Sequence, residues 1–265
     1  MSDATEGMDP AVKQTSAELA TGVDTDTILQ TDGLTKRFGG LTAIDDVEFG
    51  VEAGELRCLI GPNGAGKSTL LNLITGALTP SEGSVYFQGH DITGMDPHER
   101  IRRGLSIKFQ VPSVYEDLSV RENVRLPIQR LASGTEREER IADALAASGL
   151  ADKADIDASA LSHGEQQQLE IGMAASLEPE LLLLDEPVAG LSVDERDGIA
   201  ERITRLNEER SIAFVVIEHD TEFVAEIADH VTVLHQGETF REGPIEEIEA
   251  DPEVQRIYLG GEADA

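Results

Sequence analysis

Apolar residues recur from residue 28 onward in two alternating patterns, one with the period of a strand and one with the period of a helix. Short apolar runs between turn residues predict strands, and longer amphipathic stretches predict helices. The predicted strands are 28–38, 44–51, 55–60, 85–88, 181–184, 212–217, 231–234 and 239–241, and the predicted helices are 68–75, 163–177, 194–209 and 221–227. Strands that alternate with helices predict an α/β fold with a largely parallel core, and the strand-rich first 90 residues predict an added antiparallel β layer.

The middle and the ends of the chain depart from this alternation. The middle stretch is charged, helix-like and interrupted at Pro127 and at Ser133-Gly134, so it predicts a mainly helical insertion. The first 27 residues carry six acidic residues, one Lys and no periodic apolar pattern, which is typical of a disordered tail. We therefore divide the chain into an acidic tail at 1–27, a folded domain at 28–260 with a helical subdomain at about 112–160, and a C-terminal tail at 261–265.

The charge balance excludes some classes of partner. There are 52 acidic and 21 basic residues, which gives a net charge of −31 at neutral pH. A general nucleic-acid-binding protein needs Lys and Arg to displace counterions from phosphates, so that function is excluded. Attachment to anionic lipid headgroups is disfavoured for the same reason. Because 40% of the residues are hydrophobic, a core can form, and the acidity must lie mostly on the surface of a folded protein.

The composition also bears on the solvent and the compartment. The chain has only five Lys, no Trp and 4% aromatic residues, which is typical of a halophilic protein, since concentrated salt screens the repulsion between carboxylates. An acidic protein of ordinary salt conditions is the alternative. Cys58 is the single cysteine, so neither a disulfide nor a cysteine-based metal site is predicted. The chain has no run of 18 apolar residues and no signal pattern, so we expect a soluble, reduced, intracellular protein.

The strongest chemical signal is the glycine-rich turn GPNGAGKST between a predicted strand and a predicted helix, which fits the pattern G-x4-G-K-[ST]. Its glycines let backbone N–H groups point at phosphate oxygens, and the helix N-terminus adds the positive end of its dipole. Lys67 supplies a charge for the β- and γ-phosphates, and Ser68 is placed to ligate Mg²⁺. A chance turn is the alternative, which the strand–loop–helix context argues against. The predicted phosphate-binding residues are Gly61, Pro62, Asn63, Gly64, Ala65, Gly66, Lys67, Ser68 and Thr69.

A second signal is the pair Asp185-Glu186 at the end of the apolar run Leu181–Leu184. Ligands of α/β sheets bind at the carboxyl ends of strands, where these two carboxylates emerge. We expect Asp185 to hold Mg²⁺ or its water, and Glu186 to orient or deprotonate the attacking water. A strand end that meets solvent is the alternative, and the phosphate loop upstream favours the functional interpretation.

Together with LSHGEQQQ at 161–168, these motifs resemble the ATP-binding subunit of an ABC transporter over about residues 28–260. The segment is similar to the family's LSGGQ signature, with His163 in place of Gly and Glu165 in place of Gln. The resemblance implies that Ser162 and Gly164, with Glu165 beside them, reach the ATP held by a partner subunit. It also implies a P-loop NTPase (RecA-like) core with an antiparallel β subdomain and a helical subdomain, in the ABC ATPase architecture. His163 is interpreted as a tolerated substitution, with a catalytic base as the alternative.

The resemblance assigns further roles in the family's order. Gln110 matches the Q-loop glutamine, which coordinates Mg²⁺ or the water. His219 resembles the switch histidine, which hydrogen-bonds the γ-phosphate and orients Glu186, although a histidine after a strand is also a common structural feature. Phe38 resembles the aromatic residue that stacks on adenine, with a core position as the alternative. Ser192 lies at the D-loop position, where the family often has Asp.

The resemblance also implies a mechanism and partners. Two such subunits would close head-to-tail on two ATP molecules with Mg²⁺, at the cytoplasmic face of the cell membrane. The partners are then a second homologous ATPase subunit, two membrane permease subunits and, indirectly, an extracellular substrate-binding protein. The segments that point to a subclass, the urea-importer ATPase within the branched-chain amino acid importer group, are 55–61, 108–116, 161–173, 184–190 and 257–260. Urea is the predicted substrate, and branched-chain amino acids or related amides are the alternative.

Two questions stay open from the sequence. The apolar residues Val111, Pro112, Val114 and Tyr115 are placed either in a docking groove for a permease helix or in ordinary subdomain core. A soluble, non-transport ABC ATPase would carry the same motifs without a permease. An ABC module of DNA repair or translation is disfavoured, because the chain has one cassette and a strongly acidic surface.

Overall fold

Two β-sheets, nine α-helices and two short 3-10 helices, Ala151–Lys153 and Ala158–Ala160, form the part of the chain that this computed structural model describes, residues 27–108, 114–129 and 131–260. The strands are β1 Thr27–Phe38, β2 Leu41–Glu52, β3 Leu56–Ile60, β4 Glu82–Phe87, β5 His90–Asp91, β6 Leu105–Lys108, β7 Leu181–Asp185, β8 Ala213–Ile217, β9 His230–His235 and β10 Glu238–Gly243. The helices are α1 Lys67–Thr75, α2 Pro97–Arg102, α3 Val120–Ile128, α4 Gly134–Ser148, α5 His163–Ala175, α6 Val193–Arg210, α7 Thr221–Ile227, α8 Ile245–Ala250 and α9 Pro252–Gly260.

The larger sheet has the strand order β10-β9-β3-β8-β7-β6. Its strands from β9 to β6 are parallel, and β10 pairs antiparallel with β9. The strands β3 and β8 are buried along their whole length, as expected for parallel strands covered on both faces. Because Leu59 and Asp185 both pair with Ile217, the loops that follow β3, β7 and β8 leave the same edge of the sheet. That edge carries the predicted chemistry.

The smaller sheet has the order β2-β1-β4-β5 and is antiparallel throughout. Its buried side chains join those of α1 and one face of the larger sheet in a first core cluster, which includes Leu29, Phe87, Leu70 and Leu183. A second cluster covers the other face of the larger sheet with side chains from α5, α6 and α7. The predicted antiparallel layer on a parallel core is therefore present.

The helical stretch has a third core cluster of its own, which includes Val120, Val124, Ile141 and Leu145. Leu169 of α5 belongs to this cluster as well, so the cluster extends past the predicted limit at residue 160. Pro127 lies inside α3 rather than interrupting the chain between helices. The division into subdomains remains our interpretation of these clusters.

Three helices begin with the same capping arrangement, in which a Ser side chain accepts a backbone N–H and a Glu three residues later returns to the Ser backbone. The pairs are Ser119 with Glu122, Ser162 with Glu165, and Ser192 with Glu195. The pattern S-x-x-E fixes each helix start, because the first N–H groups of a helix have no partner within it.

Several elements go beyond the sequence prediction. The edge strands β5 and β6 and the helices α2, α8 and α9 were not predicted. Thr27, placed in the tail, begins β1, and the rest of that tail lies outside the described residues, as does 261–265. Arg100 of α2 is buried and donates to the carbonyl oxygens of Leu73 and Ile74 at 2.9 and 2.6 Å, so α2 closes the end of α1. In the described part of the chain, the helices are all too short or too polar to span a bilayer.

Candidate functional site

The predicted phosphate loop joins the end of β3 to the start of α1, and only glycine fits at two of its positions. A Cβ on Gly61 would lie 2.2 Å from the carbonyl oxygen of Leu234. A Cβ on Gly66 would lie 2.6 Å from the carbonyl oxygen of Ala43, and Gly66 has a φ of 110°, which L side chains rarely adopt. Gly66 is followed directly by Lys67, the first residue of α1. The loop is thus a narrow main-chain turn that ends on a helix N-terminus.

The β9–β10 turn is hydrogen-bonded through its main chain both to this loop and to β2. The N–H of Gly237, in the β9–β10 turn, donates to the carbonyl oxygen of Ala65 at 2.9 Å. The carbonyl oxygen of Gly237 in turn accepts the N–H of Asp45 in β2 at 2.9 Å. Within the loop, the N–H of Ala65 donates to Pro62 at 3.1 Å. The phosphate loop is therefore tied directly to the larger sheet, and through Gly237 to the smaller one.

A surface groove of about 570 Å³ opens over this loop, a size typical of small-molecule sites. Phe38 at its rim is 46% exposed, so the alternative that Phe38 belongs to the core is wrong. The ammonium group of Lys36 lies 5.2 Å from the centre of the Phe38 ring. The lining residues are Phe38, Leu41, Thr42, Ala43, Asn63, Gly64, Ala65, Gly66, Lys67, Ser68, Thr69, Glu186, His219 and Gln236.

Glu186 and His219 meet on one wall of the groove. The Nε2 atom of His219 lies 3.3 Å from Oε1 of Glu186. Glu186 has a φ of 48°, in the left-handed region, and its N–H donates to the carbonyl oxygen of Ile217 at 2.9 Å. Such backbone strain in a residue other than glycine is often stored at functional sites. Glu186 and His219 are far apart in sequence, but they follow the neighbouring strands β7 and β8. The pairing of these strands brings the two side chains together at the edge of the larger sheet.

Lys67 is buried at the base of the groove. Its Nζ donates to the carbonyl oxygens of Gly61 and Pro62 at 2.6 and 3.2 Å. Burial lowers the pKa of the Lys67 ammonium, and the nearby charges of Glu186 and Asp185 oppose that shift. The cation is therefore held inside the loop, close to the two carboxylates predicted for catalysis and metal binding.

His219 is kept in its neutral form by its surroundings. Burial is the larger cause that lowers the pKa of His219, and the charge of Lys67 lowers it further, while Glu186 opposes both. A carboxylate only accepts hydrogen bonds, so the neutral imidazole that bonds to Glu186 carries its proton on Nε2. His219 is thus able to hold the carboxylate of Glu186 in one orientation.

Glu218 is a functional candidate that the sequence prediction missed. It is 3% exposed, and its two carboxylate oxygens accept the N–H groups of Val188 and His219, each at 2.9 Å. Burial raises the pKa of Glu218. The side chain joins the loop after Glu186 to the loop that carries His219. The signal was its place at the end of an apolar strand, the same signal that identified Asp185.

The signature residues lie elsewhere, outside the residues that line the groove. Ser162 caps α5, and its Oγ and the N–H of Gly164 donate to Oε1 of Glu195 at 3.0 and 3.1 Å. Glu165 forms an ion pair with Lys153, and the hydrogen bond from Lys153 lowers the pKa of that carboxyl. The structure therefore separates the predicted nucleotide-binding residues into two groups.

The oxygen donors near Lys67 fit a magnesium ion. Ser68 is exposed in the groove at the start of α1, and Asp185 ends β7 next to Glu186. Mg²⁺ in nucleotide sites takes one or two protein oxygens and completes its shell with phosphates and water. The described residues contain no group of three or more His, Cys, Asp or Glu that could hold a metal by themselves. Gln110, the other predicted ligand, lies outside the described residues.

Comparison with known proteins gives consistent matches. Residues 44–189 match the protein family described as ABC transporter. The chain is 35% identical over 249 residues to the high-affinity branched-chain amino acid transport ATP-binding protein BraF of Pseudomonas aeruginosa, covering 88% of this chain and 98% of the relative. It is 36% identical over 251 residues to the probable branched-chain amino acid transport ATP-binding protein LivG of Archaeoglobus fulgidus, covering 89% and 96%.

Solved structures agree with these matches. The ADP conformation of an ATP-binding cassette of an ABC transporter superposes with a TM-score of 0.79 at 33% identity, covering 88% of this chain and 99% of that one. The dimeric structure of a bacterial ABC transporter cassette gives a TM-score of 0.71 at 30% identity, covering 82% and 98%. The fold class predicted from the sequence is confirmed.

Proposed function

The chain belongs to the ABC transporter family and is an ATPase, and we propose that it energises an importer of branched-chain amino acids. The relatives described above are named for branched-chain amino acid transport, which supports this alternative. The urea importer that the sequence segments predicted is not confirmed. The substrate itself is expected to pass through the permease, so no residue of this subunit distinguishes the two.

We propose that the groove over the phosphate loop binds ATP. The loop N–H groups, the N-terminus of α1 and Lys67 would hold the β- and γ-phosphates, and Phe38 would stack on the adenine. Ser68 and Asp185, with Gln110, would hold Mg²⁺, which supplies charge neutralisation at the phosphates when bound. The convergence of Lys67, Glu186 and His219 in this groove is the observation that carries the proposal.

Hydrolysis then transfers the γ-phosphoryl group of ATP to water, and ADP departs as the leaving group. Glu186 would orient the attacking water and accept its proton, because its carboxylate faces the groove. His219 would hold Glu186 through its Nε2–H, at the 3.3 Å separation described above, and contact the γ-phosphate. Since little covalent chemistry falls to the protein in phosphoryl transfer, positioning and charge neutralisation supply most of the rate.

The second group of residues implies a second subunit. Ser162 and Gly164 lie outside the groove, so we propose that they act on ATP bound to another ATPase subunit in a head-to-tail dimer. A dimeric cassette among the similar structures supports this arrangement. ATP would then lie between the phosphate loop of one subunit and the signature segment of the other, and ATP binding would shift the population toward the closed pair.

We further propose that the subunit sits peripherally at the cytoplasmic face of the membrane, docked on two permease subunits by its helical subdomain. Tyr115 is 60% exposed, which fits a docking surface, whereas Val114 packs against the third core cluster. Val111 and Pro112 lie outside the described residues. An extracellular substrate-binding protein would complete the importer.

The catalytic assignment is tested by Glu186→Gln. The variant should bind ATP normally and hydrolyse it at least about 100-fold slower, because a positioned base is lost. A phosphate-release assay and an ATP-binding titration on the same preparation measure both quantities. Glu226→Gln on α7 makes the same charge change at an exposed position and should leave both unchanged. Near-normal turnover of the Glu186 variant would show that the assignment is wrong.

The transport assignment is tested in cells that lack this gene. Uptake of radiolabelled leucine, isoleucine and valine should fall and return with the wild-type gene but not with Glu186→Gln. Loss of urea uptake with normal leucine uptake would support the urea prediction instead. Normal uptake of all four, with no permease copurifying from membranes, would favour a non-transport ABC ATPase.

We also propose that the acidic surface is an adaptation to high salt. The net charge of −31 predicts mutual repulsion among surface carboxylates in dilute buffer. The melting temperature should therefore rise by several degrees between about 0.1 M and molar KCl, where the Debye length shortens from about 10 Å to about 3 Å. Differential scanning calorimetry measures this rise, and equal melting temperatures in the two buffers would contradict the halophilic interpretation.

A further inference from the structure

Glu195 lies across the signature segment of its own subunit. Its Oε1 accepts the hydroxyl of Ser162 at 3.0 Å and the N–H of Gly164 at 3.1 Å. Its Oε2 accepts the hydroxyl and the N–H of Ser192, at 2.8 and 3.1 Å. One carboxylate on α6 therefore joins the signature segment to the D-loop position, over a sequence separation of about thirty residues.

The backbone at Gly164 is shaped around this side chain. A Cβ on Gly164 would lie 2.7 Å from Cγ and 2.8 Å from Cβ of Glu195, so any larger residue would displace the Glu195 side chain. The hydrogen bonds from Ser192, and then those from Gly164 and Ser162, lower the pKa of Glu195 to about 2. The side chain is thus a fully charged anion at neutral pH, seated against the glycine.

The donors that hold Glu195 are of the kind that hold a phosphate oxygen. A serine hydroxyl and a backbone N–H at the N-terminus of a 13-residue helix form a common anion site. Under the proposed function, Ser162 and Gly164 receive the γ-phosphate of the ATP on the second subunit. Each of these groups has one hydrogen to donate, so the carboxylate and the phosphate compete for the same two hydrogens.

We propose that Glu195 is a positioning residue that occupies the signature anion site in the separate subunit and yields it to the γ-phosphate when the dimer closes. The inference rests on the proposed head-to-tail ATP site. Glu195 keeps Ser162 and Gly164 aligned while no phosphate is present. Because the γ-phosphate must displace the carboxylate, Glu195 also raises the ATP concentration that is needed for the dimer to close. ADP lacks the phosphate that displaces the carboxylate. The side chain is partly exposed, so it leaves the site by rotating about its own bonds.

The test uses the variant Glu195→Gln, because Gln is also accepted at the third helical position of a capping box and removes only the charge. Self-association of the full chain is followed by sedimentation against ATP concentration, in a Glu186→Gln background that slows hydrolysis. The ATP concentration at half-maximal association should fall about threefold or more, since a competing and repelling anion is gone. ADP should induce no association in either protein.

Two controls separate this role from a structural one. Glu201→Gln, an exposed change of equal charge on the same helix, should leave the half-maximal ATP concentration unchanged. Adding Ser162→Ala should reduce the effect of Glu195→Gln, because the carboxylate and the γ-phosphate then compete for the N–H of Gly164 and no longer for the serine hydroxyl. The advantage of Glu195→Gln should also shrink in molar salt, where the repulsion is screened.

The outcomes distinguish the inference from the function on which it rests. If the parent associates with ATP and Glu195→Gln associates at an equal or higher ATP concentration, Glu195 only braces the two loops and the inference is wrong. If the parent fails to associate with ATP at all, this chain forms no head-to-tail site with a second copy of itself, and the inference falls with it. Association of Glu195→Gln with ADP as readily as with ATP would also overturn the inference.

Discussion

The phosphate loop and the signature segment each lead into the N-terminus of a helix, but different charged groups contact the two helix starts. At the phosphate loop, the buried ammonium of Lys67 donates to carbonyl oxygens of its own loop. At the signature segment, the donors Ser162 and Gly164 are engaged by the carboxylate of Glu195. One site adds a cation beside its N–H groups, and the other brings an anion to them. A helix N-terminus alone therefore does not decide whether a subunit binds a phosphate unaided.

The two sites also differ in what supports them. The phosphate loop contacts main-chain atoms of Leu234, Ala43 and Gly237, which belong to the strands and turn of two sheets. The signature segment is braced by side chains, from Glu195 on α6 and from Lys153. Main-chain atoms of a sheet keep the phosphate loop in one conformation, whereas the side chains that support the signature segment can rotate away from it. This difference fits the roles proposed above, in which the first site binds phosphate within one subunit and the second exchanges its anion between two.

The largest expected effect contrasts Lys67→Ala with Ser162→Ala in the isolated chain. Lys67→Ala should weaken ATP binding about 100-fold, because it removes the buried charge at the phosphates. Ser162→Ala should leave ATP binding to the single subunit within about twofold, and reduce turnover only where two subunits meet. Titration with a fluorescent ATP analogue at low protein concentration measures both. Equal losses of ATP binding in the two variants would contradict the assignment of different roles to the phosphate loop and the signature segment.

A smaller effect is expected from Glu218→Gln, which alters the support of the loops that carry Glu186 and His219 beside the phosphate loop. Gln has one acceptor oxygen, so one of the N–H groups of Val188 and His219 loses its partner, at a cost of about 1–3 kcal/mol in the free energy of unfolding. Turnover should fall about tenfold, with a smaller change in KM, because Glu186 and His219 lose their common support. Urea denaturation and steady-state kinetics measure the two quantities.

The matched control for that variant is Glu55→Gln. Glu55 is also buried, but it lies at the amino end of β3, opposite the groove, where it pairs with Arg57. This change should lower stability and leave the turnover of the folded protein unchanged. If both variants lose stability and neither loses turnover, Glu218 has a structural role only.

The smallest effect is a change in the titration of His219. Its pKa is lowered by burial and by Lys67 and is raised by Glu186. Lys67→Ala should therefore raise the pKa of His219, and Glu186→Gln should lower it further. The neutral form dominates at pH 7 in the wild type, so hydrolysis should decline only as the pH falls below the ordinary value of about 6.5 toward the lowered pKa. Proton resonances of the imidazole ring follow both shifts, and shifts of the same sign in the two variants would contradict the electrostatics described.

The parts of the fold predicted from sequence are those with a local signal. The glycine spacing predicts the loop 61–69, and continuous apolar runs predict β7 and β8. In each case the residues that determine the local structure lie within a few positions of one another. The strand β6 has four residues at the edge of the sheet and, among the described strands, pairs only with β7, so periodicity does not reveal it. The helix α2 had a usable signal, since Asp96 caps it, Pro97 opens it and Glu99 completes the capping box.

The parts of the site that escaped prediction depend on contacts across the chain. Glu218 meets Val188 thirty residues away, and Glu195 meets Gly164 thirty-one residues away. In sequence, Glu195 looks only like the third residue of a helix cap, which it also is. Its second role follows from the placing of α5 against α6, and a one-dimensional pattern does not contain that placing. The resemblance to the signature motif predicts a glycine at position 164. Only the structure gives the physical reason, which is that a Cβ there would collide with the Glu195 side chain.

The main-chain walls of the phosphate loop bear on how such a loop is moved between proteins. The carbonyl oxygens of Leu234 and Ala43 and the N–H of Gly237 come from segments that lie before and far after the loop in sequence. A protein engineer who grafts the nine residues 61–69 onto another strand–helix junction transfers the glycines without the atoms that press on them. The graft should need β2 and the β9–β10 hairpin as well, which makes the smallest transplantable unit a three-segment assembly rather than a motif.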